Sequence, residues 1–127
     1  MSHEVPTMDH AGFQHWLNRY VDAWRSGDPA AIGDLFSEDA RYFYGPYREP
    51  IVGREAIVRE WTEDQDEPGS WEAEYRPLAV DGDTAVSIGE SRYTNGTTYS
   101  NIFVCRFDSD GRCAEFREWF MEKKSDG

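Results

Sequence analysis

Four polar side chains in the second half of the chain, Glu90, Arg92, Asn101 and Glu118, are of the types that hold or move protons inside an apolar cavity. A carboxyl withdrawn from water is raised in pKa, a nearby guanidinium lowers it, and two carboxyls in proximity drive one toward the neutral acid. Any of these outcomes yields an acid or base that works near neutral pH. Whether the four act together depends on whether strand register puts them on one side of a sheet.

From Ser70 onward the sequence reads as strand and turn. Asp81–Gly82, Asn95–Gly96 and Asp110–Gly111 punctuate four runs rich in β-branched and aromatic residues. Such dipeptides tolerate the positive φ angles of two-residue hairpin loops, which predicts four antiparallel strands in meander order. With two-residue loops, Val80 lies opposite Asp83, Thr94 opposite Thr97 and Ser109 opposite Arg112. Propagation along the strands then pairs Tyr75 with Ile88, Glu90 with Asn101, Cys105 with Phe116 and Phe103 with Glu118.

This register predicts one face carrying Tyr75, Glu90, Arg92, Tyr99, Asn101, Phe103, Phe116, Glu118 and Phe120: an aromatic core face with a polar island. The opposite face is mostly polar but holds Leu78, Ile102, Val104, Trp119 and Met121. An apolar patch of that kind predicts a second molecule covering it, with a homodimer through the outer sheet face as the expected form. Cys105 and Cys113 fall on opposite faces in this register and are expected as free thiols; two cysteines are too few for a disulfide framework.

The elements that must close the cavity precede the meander. Phe13, Trp16, Leu17, Tyr20, Val21 and Trp24 recur at three- and four-residue steps, the stripe of an amphipathic helix starting near Thr7 or Asp9 and stopping at Gly27. Asp28 as N-cap and Pro29 at the first helical position begin a short second helix with Ile32, Leu35 and Phe36 on its buried side. RYFYG, residues 41–45, reads as a short aromatic strand, and PYREPIVG, residues 46–53, as a loop. A third helix spans about Arg54 to Asp64, with Ile57 and Trp61 on one face and an acidic tail, EDQDE, as a solvated helix end.

At 127 residues without a composition break, the chain is expected to form a single domain over residues 1–127. Five Trp, seven Tyr and seven Phe supply rings able to line a cavity as well as fill a core. A formal net charge of −12 argues against nucleic acid as a partner. No apolar run reaches membrane-spanning length and the first residues lack a signal peptide's basic and apolar regions, so no membrane association and a cytoplasmic location are expected. His3, His10 and His15 have no spacing suited to a metal, and no phosphate loop, nucleophile elbow or cofactor motif is present; no metal and no cofactor are expected.

Set end to end, these elements resemble the nuclear transport factor 2-like superfamily, in its SnoaL-like branch. The residues that carry the resemblance are YVDAWRSGDPAAIGDLFSEDARY (20–42) for the opening helix pair and first strand, PIVGREAIVREW (50–61) for the third helix, and AVDGDTAV (79–86) with FDSDGRCAEFREWFME (107–122) for the closing strands. The resemblance implies an α+β, cone-shaped fold of about three N-terminal helices packed on a strongly curved, mostly antiparallel sheet that encloses a pocket. It also implies a homodimer, and a family that includes ketosteroid isomerases, polyketide cyclases and dehydratases beside non-catalytic binding modules.

The expected ligand is a small, mainly apolar or aromatic molecule. Glu118 is the first choice as base, with Glu90 as the second carboxylate. Arg92 and Asn101 orient the ligand, and one of Tyr42, Tyr44, Tyr75 and Tyr99 steadies developing oxyanion charge. Trp61, Phe103, Phe120, Trp16 and Tyr20 are the candidate apolar walls. Each has a plainer reading: the carboxylates as a structural ion pair, the tyrosines and tryptophans as core rings, and the whole chain as a non-catalytic ligand-binding or dimerisation module.

Overall fold

In a computed structural model, which describes residues 8–63, 67 and 69–123, three helices pack on one six-stranded sheet. Helix α1 (His10–Ser26) begins where the Asp9 side chain accepts a hydrogen bond from the Gly12 amide at 2.7 Å. It ends at Gly27, whose φ of 66° places it in the left-handed region a helix C-cap uses. Helix α2 (Pro29–Gly33) has Asp28 as N-cap and Pro29 in its first turn, and α3 spans Arg54–Glu63. Thr7, Asp64, His3 and most of the acidic tail expected after α3 lie outside the described residues.

Strand β1 is Phe36–Phe43, longer than the run at 41–45 suggests because α2 stops at Gly33 and frees Phe36 to begin the strand. The expected loop at 46–53 contains a two-residue strand, β2 (Ile51–Val52), paired antiparallel with β1. The meander follows as β3 (Trp71–Asp81), β4 (Thr84–Tyr93), β5 (Thr98–Phe107) and β6 (Cys113–Glu122), and the sheet order is β2-β1-β6-β5-β4-β3. All pairings are antiparallel except β1 with β6. The curved sheet wraps the apolar stripe of α1, and Trp16, Leu17, Phe36, Phe103 and Phe116 form the centre of the core.

Register corrects the sequence reading at one strand. The Tyr93 amide donates to the Thr97 carbonyl at 2.8 Å and the Gly96 amide to the Tyr93 carbonyl at 3.0 Å, so Thr94, Asn95 and Gly96 make a three-residue loop. Gly96 alone in that loop has positive φ, at 94°, whereas a two-residue type I′ turn would need Asn95 there too. The extra loop residue pairs Glu90 with Ser100 and Gly89 with Asn101. A one-residue slip turns every side chain of a strand over. Glu90 and Arg92 therefore point away from the core, while Ala85, Ser87 and Ser91 are buried in it.

The β3–β4 hairpin differs as well. Its loop is Gly82–Asp83, with Asp81 opposite Thr84 and a register shift between Pro77 and Ala79 that brings Tyr75 opposite Gly89 instead of Ile88. Glycine is required at 89: a Cβ there would collide with the Glu74 carbonyl and stand 2.5 Å from Tyr75 Cδ1. The bare backbone lets the Tyr75 ring lie against β4 and keeps it buried.

In the last hairpin Phe107 pairs with Cys113, so Cys113 lies buried beside Cys105 and not on the opposite face. Both are free thiols, and burial first, then the neighbouring Cys113 side chain, pushes the Cys105 thiol well above its usual range. Among the described residues no helix is long and apolar enough to cross a membrane, and no group of three His, Cys, Asp or Glu side chains could hold a metal ion.

Candidate functional site

The open end of the cone is a cavity of about 310 Å³ between the helices and the concave side of the sheet. Tyr20 and Trp24 reach it from α1, Glu60 and Trp61 from α3, and Tyr42 and Tyr44 from β1 and the residue beyond its end. The meander adds Tyr75 from β3, Ser91 and Tyr93 from β4, Tyr99 and Asn101 from β5, and Glu118 and Phe120 from β6. A strand presents every second residue to one side, so 99 and 101, then 118 and 120, arrive as adjacent pairs.

Glu118 is the centre of this arrangement. It lies opposite Phe103 in the register, with one carboxylate oxygen accepting a hydrogen bond from Asn101 Nδ2 at 3.1 Å. Asn101 is itself held, because its Oδ1 accepts from the Ser91 hydroxyl at 3.1 Å, which fixes which end of the amide faces the carboxyl. Burial pushes Glu118 up to about 7, and the hydrogen bond from Asn101 opposes that shift without cancelling it.

Phenols surround the carboxyl. The Tyr20 and Tyr42 hydroxyls are 3.1 Å apart in a hydrogen bond, and both rings are buried, with Tyr20 stacked on Phe116 at an interplanar angle of 11°. Burial raises Tyr20, Tyr42 and Tyr75 above the usual phenol range, and the negative charge of Glu118 raises each further. They stay protonated at neutral pH and can donate hydrogen bonds to an oxygen in the cavity.

Two of the sequence-derived candidates stand on the other side of the sheet. Glu90 and Arg92 form an ion pair at 3.8 Å on the convex face, with Arg92 also 3.9 Å from Glu74, and their side chains are 49% and 42% exposed. The carboxylate and guanidinium of the E-S-R triplet are a surface pair, worth little to stability. Trp16 and Phe103, expected as pocket walls, are sealed in the core behind it, at 2% and 1% exposure. Trp16 Nε1 donates to the Leu35 carbonyl at 3.1 Å, and the ring has no opening to the cavity.

The cavity also holds residues the sequence reading missed. Ser91 and Tyr93 were hidden by the β4 register, although Ser87, Gly89 and Ser91 at alternate positions are the small-residue pattern of a strand crowded on its concave side. Glu60 adjoins Trp61 on α3, and neighbours in a helix do not share a face by periodicity, so no sequence signal marks it.

Three helices on a curved six-stranded sheet make an α+β cone, with an inward carboxyl among tyrosines where the helices and the concave face meet. Residues 17–116 match the SnoaL-like domain, and the chain belongs to that family. Among solved structures it is similar to an NTF-2 like protein of unknown function from Burkholderia xenovorans LB400, with 20% identity, a TM-score of 0.72, and 92% of this chain and 88% of that one covered. It is also similar to a protein from Kribbella flavida DSM 17836 assigned provisionally as a ketosteroid isomerase, with 21% identity, a TM-score of 0.71, and coverage of 94% and 84%. A third, an NTF2-like protein of unknown function from Mesorhizobium loti, has 22% identity, a TM-score of 0.65, and coverage of 91% and 96%. At such identities the likeness speaks for the fold alone. No curated protein sequence matches the chain significantly.

Proposed function

We propose that the protein binds a small, mainly apolar, oxygenated molecule in this cavity and moves a proton on it through Glu118, in a reaction of the isomerisation, cyclisation or dehydration class. The observation that carries the reading is Glu118 itself: an inward carboxyl, held by Asn101 and raised to about 7, is half ionised at neutral pH and serves as base and then acid. The Tyr20–Tyr42 hydroxyl pair supplies a donor for the oxygen that gains charge as the proton leaves carbon. Base and donors are all side chains of this chain, so the reading requires no cofactor. A cavity of about 310 Å³ favours a bound molecule over a purely structural polar island, which its own rings would fill.

Carbon-detected NMR titration of the glutamate carboxyls tests the reading. One resonance, lost in Glu118→Gln, is expected to titrate with a midpoint near 7. A Glu118 midpoint at the ordinary glutamate value of about 4.3 removes the acid/base role.

We propose further that a second copy of the chain covers the convex face. Ile88, Ile102 and Trp119 stand opposite one another across β4, β5 and β6 and form a continuous apolar row, with Ile102 42% and Trp119 39% exposed. Sedimentation is expected to show a dimer that Trp119→Glu converts to a monomer. A wild-type monomer at every concentration up to the millimolar range would rule the arrangement out.

A further inference from the structure

Among the described residues that line the cavity, nine of thirteen are aromatic, the other four are Glu60, Ser91, Asn101 and Glu118, and none is Lys, Arg or His. A carboxylate inside an apolar enclosure ordinarily has a cation or several donors beside it. Glu118 has one amide donor and lacks a cationic neighbour in the pocket wall. The lining therefore supplies one half of a charge pair and the aromatic surface that attracts the other half.

We infer that the pocket selects a positively charged organic ligand, a small molecule carrying an ammonium group, over a neutral molecule of the same shape. This rests on the cavity being the binding site proposed above and adds the charge of the substrate to that reading. Three observations support it. Aromatic rings attract ammonium groups through their negative faces, and nine aromatic side chains line this cavity, with Tyr20 and Trp61, Tyr93 and Tyr99, and Tyr99 and Phe120 packed edge-to-face as neighbours. Two carboxylates on different elements, Glu60 on α3 and Glu118 on β6, would repel an anionic ligand and attract a cationic one. The net charge of −12 also concentrates cations around the molecule before they reach the cavity.

An ammonium group entering the pocket favours ionised Glu118, so its affinity follows the ionisation of that carboxyl. The groups facing Glu118 are Tyr20 from α1, Tyr42 from β1, Tyr75 from β3 and Asn101 from β5; the phenols, raised by burial and by Glu118, keep their protons across the range of interest. With a midpoint near 7, the ionised fraction of Glu118 changes about tenfold between about pH 6 and about pH 8.

Calorimetric titration of the full chain with choline, and with its neutral isostere 3,3-dimethylbutan-1-ol, tests the inference at those two pH values. Choline is expected to bind about tenfold or more tightly than the alcohol at the higher pH and to weaken by about tenfold at the lower one. Glu118→Gln is expected to remove the pH dependence of choline binding; a choline affinity that still falls about tenfold at the lower pH in this variant overturns the pairing with Glu118. Equal binding of choline and alcohol at the higher pH overturns the charge selection and leaves the cavity as a binding site for neutral molecules. Binding of neither probe overturns the inference as well, while the NMR midpoint of Glu118 decides the acid/base reading separately.

Discussion

Glu118→Gln is expected to lose proton transfer on any substrate the protein turns over by about 10²–10⁴-fold, and at the same time to make the folded protein more stable at alkaline pH. Both effects come from the same buried carboxyl. Its folded pKa of about 7 lies above the value of 4.5 for a solvated glutamate, so the fold favours the protonated form. The contribution of this group is fully present below about pH 4, declines as pH rises through the window between the two values, and is lost above about pH 7, where the native state must hold a carboxylate out of water. The shift corresponds to about 3 kcal/mol, and about 2–3 kcal/mol after allowance for the part of the side chain that meets the cavity.

Glutamine keeps the shape and the acceptor oxygen that Asn101 Nδ2 addresses at 3.1 Å, but never takes the charge. Urea unfolding at about pH 8 is therefore expected to show the variant more stable than wild type by about 2–3 kcal/mol, and the two proteins nearly equal at about pH 4. A variant less stable than wild type at the higher pH would mean that the carboxylate is well solvated or paired in the native state. Unchanged turnover would exclude Glu118 as the base whatever the stability result.

Glu118 was legible in the sequence for a reason that did not extend to Glu90. The three-residue loop between Asp108 and Arg112 shifts the β5–β6 register by one residue from the two-residue expectation, and a second irregularity between Arg106 and Phe107 shifts it back. The two offsets cancel, so Phe103 faces Glu118 and Cys105 faces Phe116 as the sequence predicts, while Cys113, between them and the turn, changes sides. The β4–β5 hairpin has the longer loop without any such compensation along the pairs from Thr84 to Arg92, and the whole strand is turned over. Asn-Gly suits a two-residue I′ turn and equally the end of a three-residue loop with glycine in the left-handed region, so the dipeptide marks the bend without fixing its parity. The first helix is easier to read because a long stripe at three- and four-residue steps leaves no such ambiguity: the buried residues of α1 fall on the expected face, and its caps fall at Asp9 and Gly27, whereas the short α2 ends at Gly33, before the Leu35 and Phe36 expected on its buried side.

Trp16→Ala is expected to destabilise the protein by about 4–5 kcal/mol, a larger loss than truncation of any aromatic side chain that borders the cavity. Trp16 is 2% exposed and sits where α1 crosses the adjoining strands β1, β6 and β5, with ring centroids 5.3 Å from Phe107, 5.6 Å from Tyr20 and 6.2 Å from each of Phe36 and Phe116. Truncation removes the indole and leaves rings on four elements facing a void that none of them can fill alone. The lost hydrogen bond matters less, because the Leu35 carbonyl that accepts from Trp16 Nε1 also accepts from the Cys113 amide at 2.8 Å and keeps a partner. Trp24 is the control. It is half-buried at the cavity and stacked on Trp71 with centroids 3.6 Å apart, so its removal opens toward solvent rather than into a sealed core and is expected to be much milder. Denaturant midpoints of the two variants check the comparison. A Trp16→Ala loss no greater than that of Trp24→Ala would show that the core beneath the pocket repacks freely, and the position of Tyr20 against Tyr42 would then not be held by Trp16.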